Sequence, residues 1–481
     1  MGKKSIRRNY IYNVSYQILL ILTPVITAPY LSRVLGADGV GIASATEADV
    51  SYFVLAATFG IAIFGQREIS YVQDDRAKRS RVFWETKLLQ ILTSLIVLLV
   101  YIPFALHQEN RILYLILTMN LLAVTASVTW FFQGMEEFGK IVLRNTVFKI
   151  VSILYIFAFV RRPSDLPLYV FGHSFFALAG DVSLWFYLPR YIDRPVIGEL
   201  KPWKHLKEIV LLFVPSIAIQ VYTVMDKTMI KVITRDAFEN GYYEQALKIS
   251  KMTLTIVTSL GTVMIPRIGY HYGRGETSLV RSYMYRGYRF VWFLGVPLSF
   301  GLLGIASGFV PWYFGPGFEK VIPLLSILGF LVLAIGINNV TGMQYLIPTG
   351  RQNYFTLTVF IGAVVNFCMN YVLIPKWRSI GAAVASVAAE TVIALVQLYL
   401  VRRELSFGKI LQSSWKYLIA GTAMLGIVNI AGRAVAAPVY GTFLQVAAGA
   451  AVYFVVLFLL RDSFFLENTG RVLEKVRGKL H

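Results

Sequence analysis

A chain of 481 residues that is 56% hydrophobic and only 15% charged lies above the roughly 45–50% apolar content of soluble domains, which excludes an ordinary water-soluble enzyme. A formal charge of +20 would suit nucleic acid in a soluble protein, but in a membrane protein the same excess belongs on the cytoplasmic side. The single cysteine, Cys368, sits inside an apolar run, so an intrachain disulfide and a cysteine-based metal cluster are excluded.

About fourteen apolar stretches fill the chain, each near the roughly twenty residues that a bilayer span needs. They are far longer than the roughly ten alternating residues of a barrel strand, so an all-α polytopic membrane protein is expected. The predicted helices run about 10–35, 40–65, 83–106, 111–133, 141–160, 166–189, 209–233, 241–266, 289–312, 321–346, 354–375, 379–401, 414–432 and 441–460. Lys3, Lys4, Arg7 and Arg8 precede the first of them as in a signal peptide. Its apolar part is too long for that and no small-x-small site follows, so it reads as a retained helix.

Lys and Arg in the links set the orientation. One side carries the amino-terminal cluster, Arg76–Arg81, Arg190–Lys207, Arg267–Arg289, Arg402–Lys409 and the basic tail. The other carries only scattered bases such as Arg33, Arg111, Arg235 and Arg378, with the pair Arg161 and Arg162 running against the rule. The bias of roughly three to one predicts a multi-pass protein of the cell membrane with both termini cytoplasmic.

Internal repetition supplies a second signal. Gly41 and Gly241, and Arg67 and Arg267, stand 200 residues apart, and Phe131–Met135 and Tyr345–Thr349 each end a helix before a basic link. Two six-helix lobes are expected, 1–195 and 209–405, joined by a connector at 196–208 and followed by two helices at 406–462 and an amphipathic tail at 463–481. Parallel lobes with a site between them are a transporter arrangement. The connector, with Trp203, Leu206 and Ile209 on one face, and the tail, with Val472, Leu473, Val476 and Leu480 set among Arg471, Lys475, Arg477 and Lys479, fit either an anionic membrane surface or a solvated link.

Ionisable residues inside spans are costly and usually face a cavity or a partner. Lys227 and Lys231 share a face beside Asp226, and Glu244, Lys248 and Lys251 form a stripe on the next helix. Arg144 and Lys149 lie in the fifth helix, Asp181 and Glu390 near the middle of the sixth and twelfth. Glu47 and Asp49 lie in the second, about 200° apart, so both cannot face one cavity. Asn338, Asn339, Asn366 and Asn370 add hydrogen-bonding capacity. Each has a plainer reading: Glu244 and Lys248 stand in the favourable i,i+4 order and can neutralise each other, and Arg144 and Glu85 lie near enough to the surface to snorkel. An excess of base suits an anionic ligand such as phosphate. Gly36-Ala-Asp-Gly-Val-Gly follows a membrane helix rather than a strand, so it is a turn and not a phosphate loop. His173 reads as a packing residue, and no catalytic or cofactor motif is present.

Leu31-Ser-Arg-Val-Leu-Gly-Ala-Asp-Gly-Val-Gly, Trp130-Phe-Phe-Gln-Gly-Met-Glu-Glu-Phe, Asp226-Lys-Thr-Met-Ile and Gly381-Ala-Ala-Val-Ala-Ser-Val-Ala-Ala-Glu, in that order and spacing, resemble the polysaccharide transporter (O-antigen and repeat-unit flippase) family of the multidrug/oligosaccharidyl-lipid/polysaccharide exporter superfamily. The resemblance implies two lobes that carry a polyprenyl-diphosphate-linked oligosaccharide from the inner to the outer leaflet by alternating access, without catalysis or a cofactor. Of the motif residues, Trp130, Gln133, Gly134, Asp226 and Lys227 carry over only as pattern positions. On this reading Arg144, Lys149, Lys227, Lys231, Lys248 and Lys251 meet the diphosphate, and Asn338, Asn339 and Asn366 meet sugars. Asp226, Glu244, Glu390, Asp181 and Glu47 are then candidate carriers of a coupling proton or sodium ion. The last two helices shape a groove for the lipid tail, and a polymerase is a possible membrane partner. The alternatives are a cation-coupled multidrug antiporter of the same superfamily, which favours an acidic pocket, and a glycan polymerase or ligase, which needs a larger outer loop.

Overall fold

A computed structural model describes residues 6–412, 414–434 and 438–469. The predicted amphipathic tail residues Arg471–Leu480, and Lys3 and Lys4 at the other end, lie outside the described residues. Among the described residues the chain is helical with no strand. It divides into two compact units, Met1–Lys231 and Val232–His481.

The first unit opens with α1, Ile6–Thr58, interrupted at Gly36, where φ is 70°. Phe59 and Gly60 both have positive φ and turn the chain into α2, Ile61–Tyr71. Only glycine fits the second of these positions, since a Cβ on Gly60 would lie 2.9 Å from the carbonyl oxygen of Ile209. Asp75 caps α3, Arg76–Leu106, by accepting from the Lys78 amide at 3.0 Å. There follow α4 (Arg111–Ala126), α5 (Thr129–Gly134), α6 (Phe138–Phe159), α7 (Leu166–Ser183) and, after 3-10 turns, α8 (Leu206–Thr234). Tyr101, Tyr114, Leu117, Leu121 and Val170 form a core between α1, α3, α4 and α7. A second core gathers Phe83, Trp130, Phe131, Phe132, Leu184 and Leu188.

The second unit contains α9 (Ala237–Thr258), α10 (Gly261–Gly273), α11 (Thr277–Phe314), α12 (Val321–Leu328), α13 (Leu331–Asn338) and a π turn over Asn339–Leu346. It continues through α14 (Gln352–Trp377), α15 (Ser379–Leu400), α16 (Phe407–Leu411), α17 (Ser414–Ala434) and α18 (Pro438–Leu459). The hairpin α17–α18 packs on α11 through Trp292, Val296, Tyr417, Met424, Val428 and Tyr453. The order of pieces repeats: the part of α1 after Gly36, then α2, α3, α4–α5, α6 and α7 answer to α9, α10, α11, α12–α13, α14 and α15.

Helical backbone covers each predicted apolar stretch. Among the described residues, nine stretches are both long and apolar enough to cross a membrane. The helix α9 is not one of them, because Glu244, Lys248 and Lys251 leave no sufficiently uncharged window. The structure differs from the sequence reading in breaking helices that were expected to be continuous. The 40–65 stretch breaks at Phe59–Gly60, the 111–133 stretch at Ser127–Val128, the 241–266 stretch at Ser259–Leu260 and the 321–346 stretch at Gly329–Phe330. The break at Ser127 frees carbonyls that bulk lipid cannot satisfy. Lys87 takes the oxygens of Thr125 and Ser127 at 2.5 and 3.1 Å, Gln90 that of Val124 at 2.5 Å and Trp185 that of Ala126 at 2.6 Å.

Candidate functional site

In the first unit, α1 and α8 bring ionisable residues together. Lys231 Nζ pairs with Asp49 Oδ2 and donates to the Tyr114 hydroxyl at 2.7 Å, while that hydroxyl donates to Asp49 at 2.6 Å. One turn away, the hydroxyls of Tyr52 and Thr228 lie 3.2 Å apart. Asp226 and Lys227 occupy the same stretch of α8, half-buried. Of the two acids in α1, Asp49 is the one that faces Lys231; Oε1 of Glu47 is buried with no hydrogen-bond partner among the described residues. Sequence reasoning selected Glu47 instead. The signal that could have found Asp49 is its three-residue spacing from Tyr52, which puts both on one helix face.

A second cluster lies between α6 and α7. Arg144 donates to Asp181 Oδ1 at 2.7 Å and to Asn145 Oδ1 at 2.9 Å, and both charged side chains are largely buried, 12% and 19% exposed. They open onto a cavity of about 220 Å³ that Lys149, Ser152 and His173 also line. Arg144 therefore does not snorkel to water but is held in place by a carboxylate. Lys87, absent from the sequence reading, is buried on α3, where it caps the broken helix and lies 5.1 Å from the Trp185 ring centroid.

In the second unit, Lys248 pairs with Glu244 at 3.2 Å across one turn of α9, while Lys251 is exposed. Asn338 donates to the Glu390 carboxylate and to the Glu390 carbonyl, the latter at 3.1 Å, joining α13 to α15. Asn339 accepts from Gln344 at 3.0 Å, and Asn366 accepts from Asn370 at 3.1 Å inside α14. Of these three, Asn338 ties two helices together, while Asn339 and Asn366 bond within their own segments. Arg144, Lys231 and Lys248, three cations expected to be open to a ligand, each hold an acid.

Two further features bear on the ligand. An apolar groove of about 290 Å³ runs along α11, α17 and α18, lined by Leu294, Leu298, Gly301, Val446, Ala450 and Phe454 among others. The connector is anchored to its own unit: buried Glu85 accepts from the Lys201 amide at 2.9 Å, from His205 Nε2 at 2.8 Å and from Lys204 at 2.8 Å. This corrects the reading of a single membrane-facing face, because Ile209 is fully buried against Ile61 and Phe64 while Trp203 is exposed. It also corrects that of a snorkelling Glu85.

Residues 6–270, more than half of the chain, match the family described as "Polysaccharide biosynthesis protein". The chain belongs to that family. The "Putative O-antigen transporter" of Escherichia coli (strain K12) is 23% identical over 411 residues, covering 83% of this chain and 98% of the relative. Among solved structures, the lipid II flippase MurJ in an inward closed conformation matches with a TM-score of 0.72 at 15% identity, over 95% of this chain and 99% of MurJ. An inward-facing multidrug resistance MATE family transporter of the MOP superfamily matches with a TM-score of 0.62 at 12% identity, over 82% and 99% of the two chains. As a member of the polysaccharide biosynthesis family, this multi-pass membrane protein thus has a transporter fold. The segment Trp130–Gly134 has a packing role in this fold. It packs α5 on α2, where a Cβ on Gly134 would lie 2.7 Å from the Gln66 carbonyl oxygen.

Proposed function

We propose that the chain is a flippase for polyprenyl-diphosphate-linked oligosaccharide repeat units, moving them from the cytoplasmic to the outer leaflet of the cell membrane by alternating access. The observation that carries this reading is membership of the polysaccharide biosynthesis family together with a MurJ-like fold over nearly the whole chain. Both termini and the basic links face the cytoplasm in this reading, as the charge bias requires. Residues 1–195 and 209–405 act as its two lobes.

The chemistry of the carrier divides the work. Its apolar chain gains about 0.8 kcal/mol per buried methylene in lipid, so the tail stays in the bilayer, with the groove of α11, α17 and α18 as its track. The head cannot cross bare hydrocarbon, where each unpaired polar group costs several kcal/mol. Arg144, Lys227, Lys231 and Lys248 receive the diphosphate, supported by Lys149 and Lys251, while Asn338, Asn339 and Asn366 serve the sugars. Because Arg144, Lys231 and Lys248 already hold Asp181, Asp49 and Glu244, the diphosphate enters by exchange, displacing a carboxylate from its cation. The released carboxylate takes up a proton or a sodium ion, which links substrate to coupling ion without a catalytic step. Asp226, Glu390 and Glu47 are further carriers on this view. An inside-negative potential favours outward movement of the anion by about 2.3 kcal/mol per charge per 100 mV, so the ion acts in resetting the empty protein.

Binding tests this. The purified chain in nanodiscs is titrated with a polyprenyl-diphosphate disaccharide and with the matching uncharged polyprenol. A flippase of this kind binds the diphosphate at least tenfold more tightly and loses that margin in Lys227→Ala/Lys231→Ala. Equal affinity for the two lipids would sink the cationic site.

A further inference from the structure

A strongly basic bowl in the second unit takes no part in the site described above. Arg281, Arg286 and Arg289 from the first turns of α11, with Arg402 and Arg403 from the segment after α15 and Lys409 from α16, line an open cavity of about 680 Å³. Glu404 is the single acid in its wall, and it is taken up by Arg351 at 2.7 Å and by the Tyr345 hydroxyl. Among the described residues, Arg281, Arg286, Arg403 and Lys409 form no ion pair.

Neutral groups hold several of the basic side chains in place. Arg402 lies 3.6 Å from the Tyr399 ring centroid and donates to the Tyr399 carbonyl at 2.7 Å. Arg289 donates to the Ser463 hydroxyl at 2.6 Å, and its Nε is buried without a hydrogen-bond partner. The Tyr285 hydroxyl accepts from the Ser406 amide at 2.9 Å, and Lys409 lies 5.9 Å from the same ring. Six cations against the one carboxylate of Glu404, which Arg351 and Arg281 share, leave the bowl with a net positive charge that favours an anion, and a phosphate is the anion that arginine donors fit best. The flank of the bowl is apolar. Phe407, Leu411 and Trp415 are 47%, 38% and 49% exposed, and their rings and branched chain suit the level where lipid headgroups meet acyl chains.

We propose that this bowl is a binding site for an anionic phospholipid, with the lipid phosphate among Arg281, Arg286, Arg289 and Lys409 and the acyl chains against Phe407, Leu411 and Trp415. Charge complementarity names the headgroup, and the exposed apolar flank names a lipid rather than a soluble phosphate. The bowl shares no residue with the site proposed for the transported glycan.

The test uses the full chain purified in a neutral detergent, with bound lipid counted by native mass spectrometry. Phosphatidylglycerol binds with one tight site and phosphatidylcholine does not. Arg281→Gln/Arg286→Gln/Lys409→Gln, all exposed positions, weakens phosphatidylglycerol by on the order of a hundredfold. A control with the same loss of charge in the first unit, Arg190→Gln/Arg194→Gln/Lys207→Gln, leaves it unchanged. Equal weakening by the control would show generic attraction to a basic surface and overturn the site. Displacement of the lipid by millimolar glycerol phosphate would overturn the lipid assignment. Should the triple variant lose its gel-filtration peak, Lys409→Gln alone decides, with about a fivefold loss expected and no loss contradicting the proposal. Glycan transport can survive or fail independently of any of these outcomes.

Discussion

Arg144 and Asp181 show how one pair can serve both stability and transport. The two charges are mostly shielded from water and lie 2.7 Å apart, so removing one leaves the other uncompensated at a cost of about 3 kcal/mol. Arg144→Ala should therefore destabilise the protein strongly, and Arg144→Ala/Asp181→Ala should recover much of that loss in a thermal unfolding assay. If Arg144 also receives the diphosphate, the double variant folds but does not transport, whereas a purely structural pair would leave the double variant active. A different titration is expected at Glu404, outside the spans. Burial alone would raise its carboxyl, but the Tyr345 hydroxyl and the Arg351 guanidinium outweigh that and hold it below the usual carboxylate range. A lowered folded value contributes stability above the unfolded value and loses it as pH falls through the folded one. Glu404→Gln should thus cost on the order of 1 kcal/mol at neutral pH, allowing for its partial exposure. That difference should shrink below about pH 4.5 in denaturation curves. At this scale the sequence was only partly legible. It named Lys231 but not its partner, since helical spacing alone could not say which of Glu47 and Asp49 turns inward. Lys87 was missed because a lysine about one turn into the expected 83–106 helix reads as a surface residue, and only the fold reveals the broken helix that it caps.

Helices were the most legible level, because uninterrupted apolar runs of span length have few other structures available in lipid. Their breaks were not legible: the residues around Ser127–Val128, Thr125 and Thr129 among them, include neither glycine nor proline, and the caps that make the break tolerable come from α3 and from Trp185. The contact between α5 and α2 gives a direct check on why α5 ends in a glycine, Gly134. A methyl at Gly134 would lie 2.7 Å from a backbone oxygen and 2.8 Å from Ile69 Cβ, and neither can yield without shifting α2. Gly134→Ala is expected to destabilise by about 1–3 kcal/mol, measured in the same unfolding assay, and Gly426→Ala, where nothing lies within 4 Å, should be close to neutral.

The charge bias is a statement about the whole molecule and makes its own prediction. With Cys368 replaced by serine, a cysteine at Ser278 should react with a membrane-impermeant maleimide only after the cells are opened, and one at Ser164 should react from outside. The reverse pattern would invert the proposed direction of transport. The repeat of element order was visible in the sequence as recurring glycines and arginines, whereas the apolar groove between α11 and the α17–α18 hairpin had no signal of its own beyond the expectation that the last two helices shape a groove for a lipid tail. The proposed activity is tested most directly in proteoliposomes loaded with a polyprenyl-diphosphate glycan, where a lectin or glycosidase reads the sugar exposed on the far leaflet. A flippase exposes it only when the protein is present, and Lys227→Ala/Lys231→Ala abolishes that exposure. No protein-dependent exposure over a panel of glycans, together with gradient-driven efflux of an organic cation, would contradict the flippase and leave a multidrug antiporter in its place.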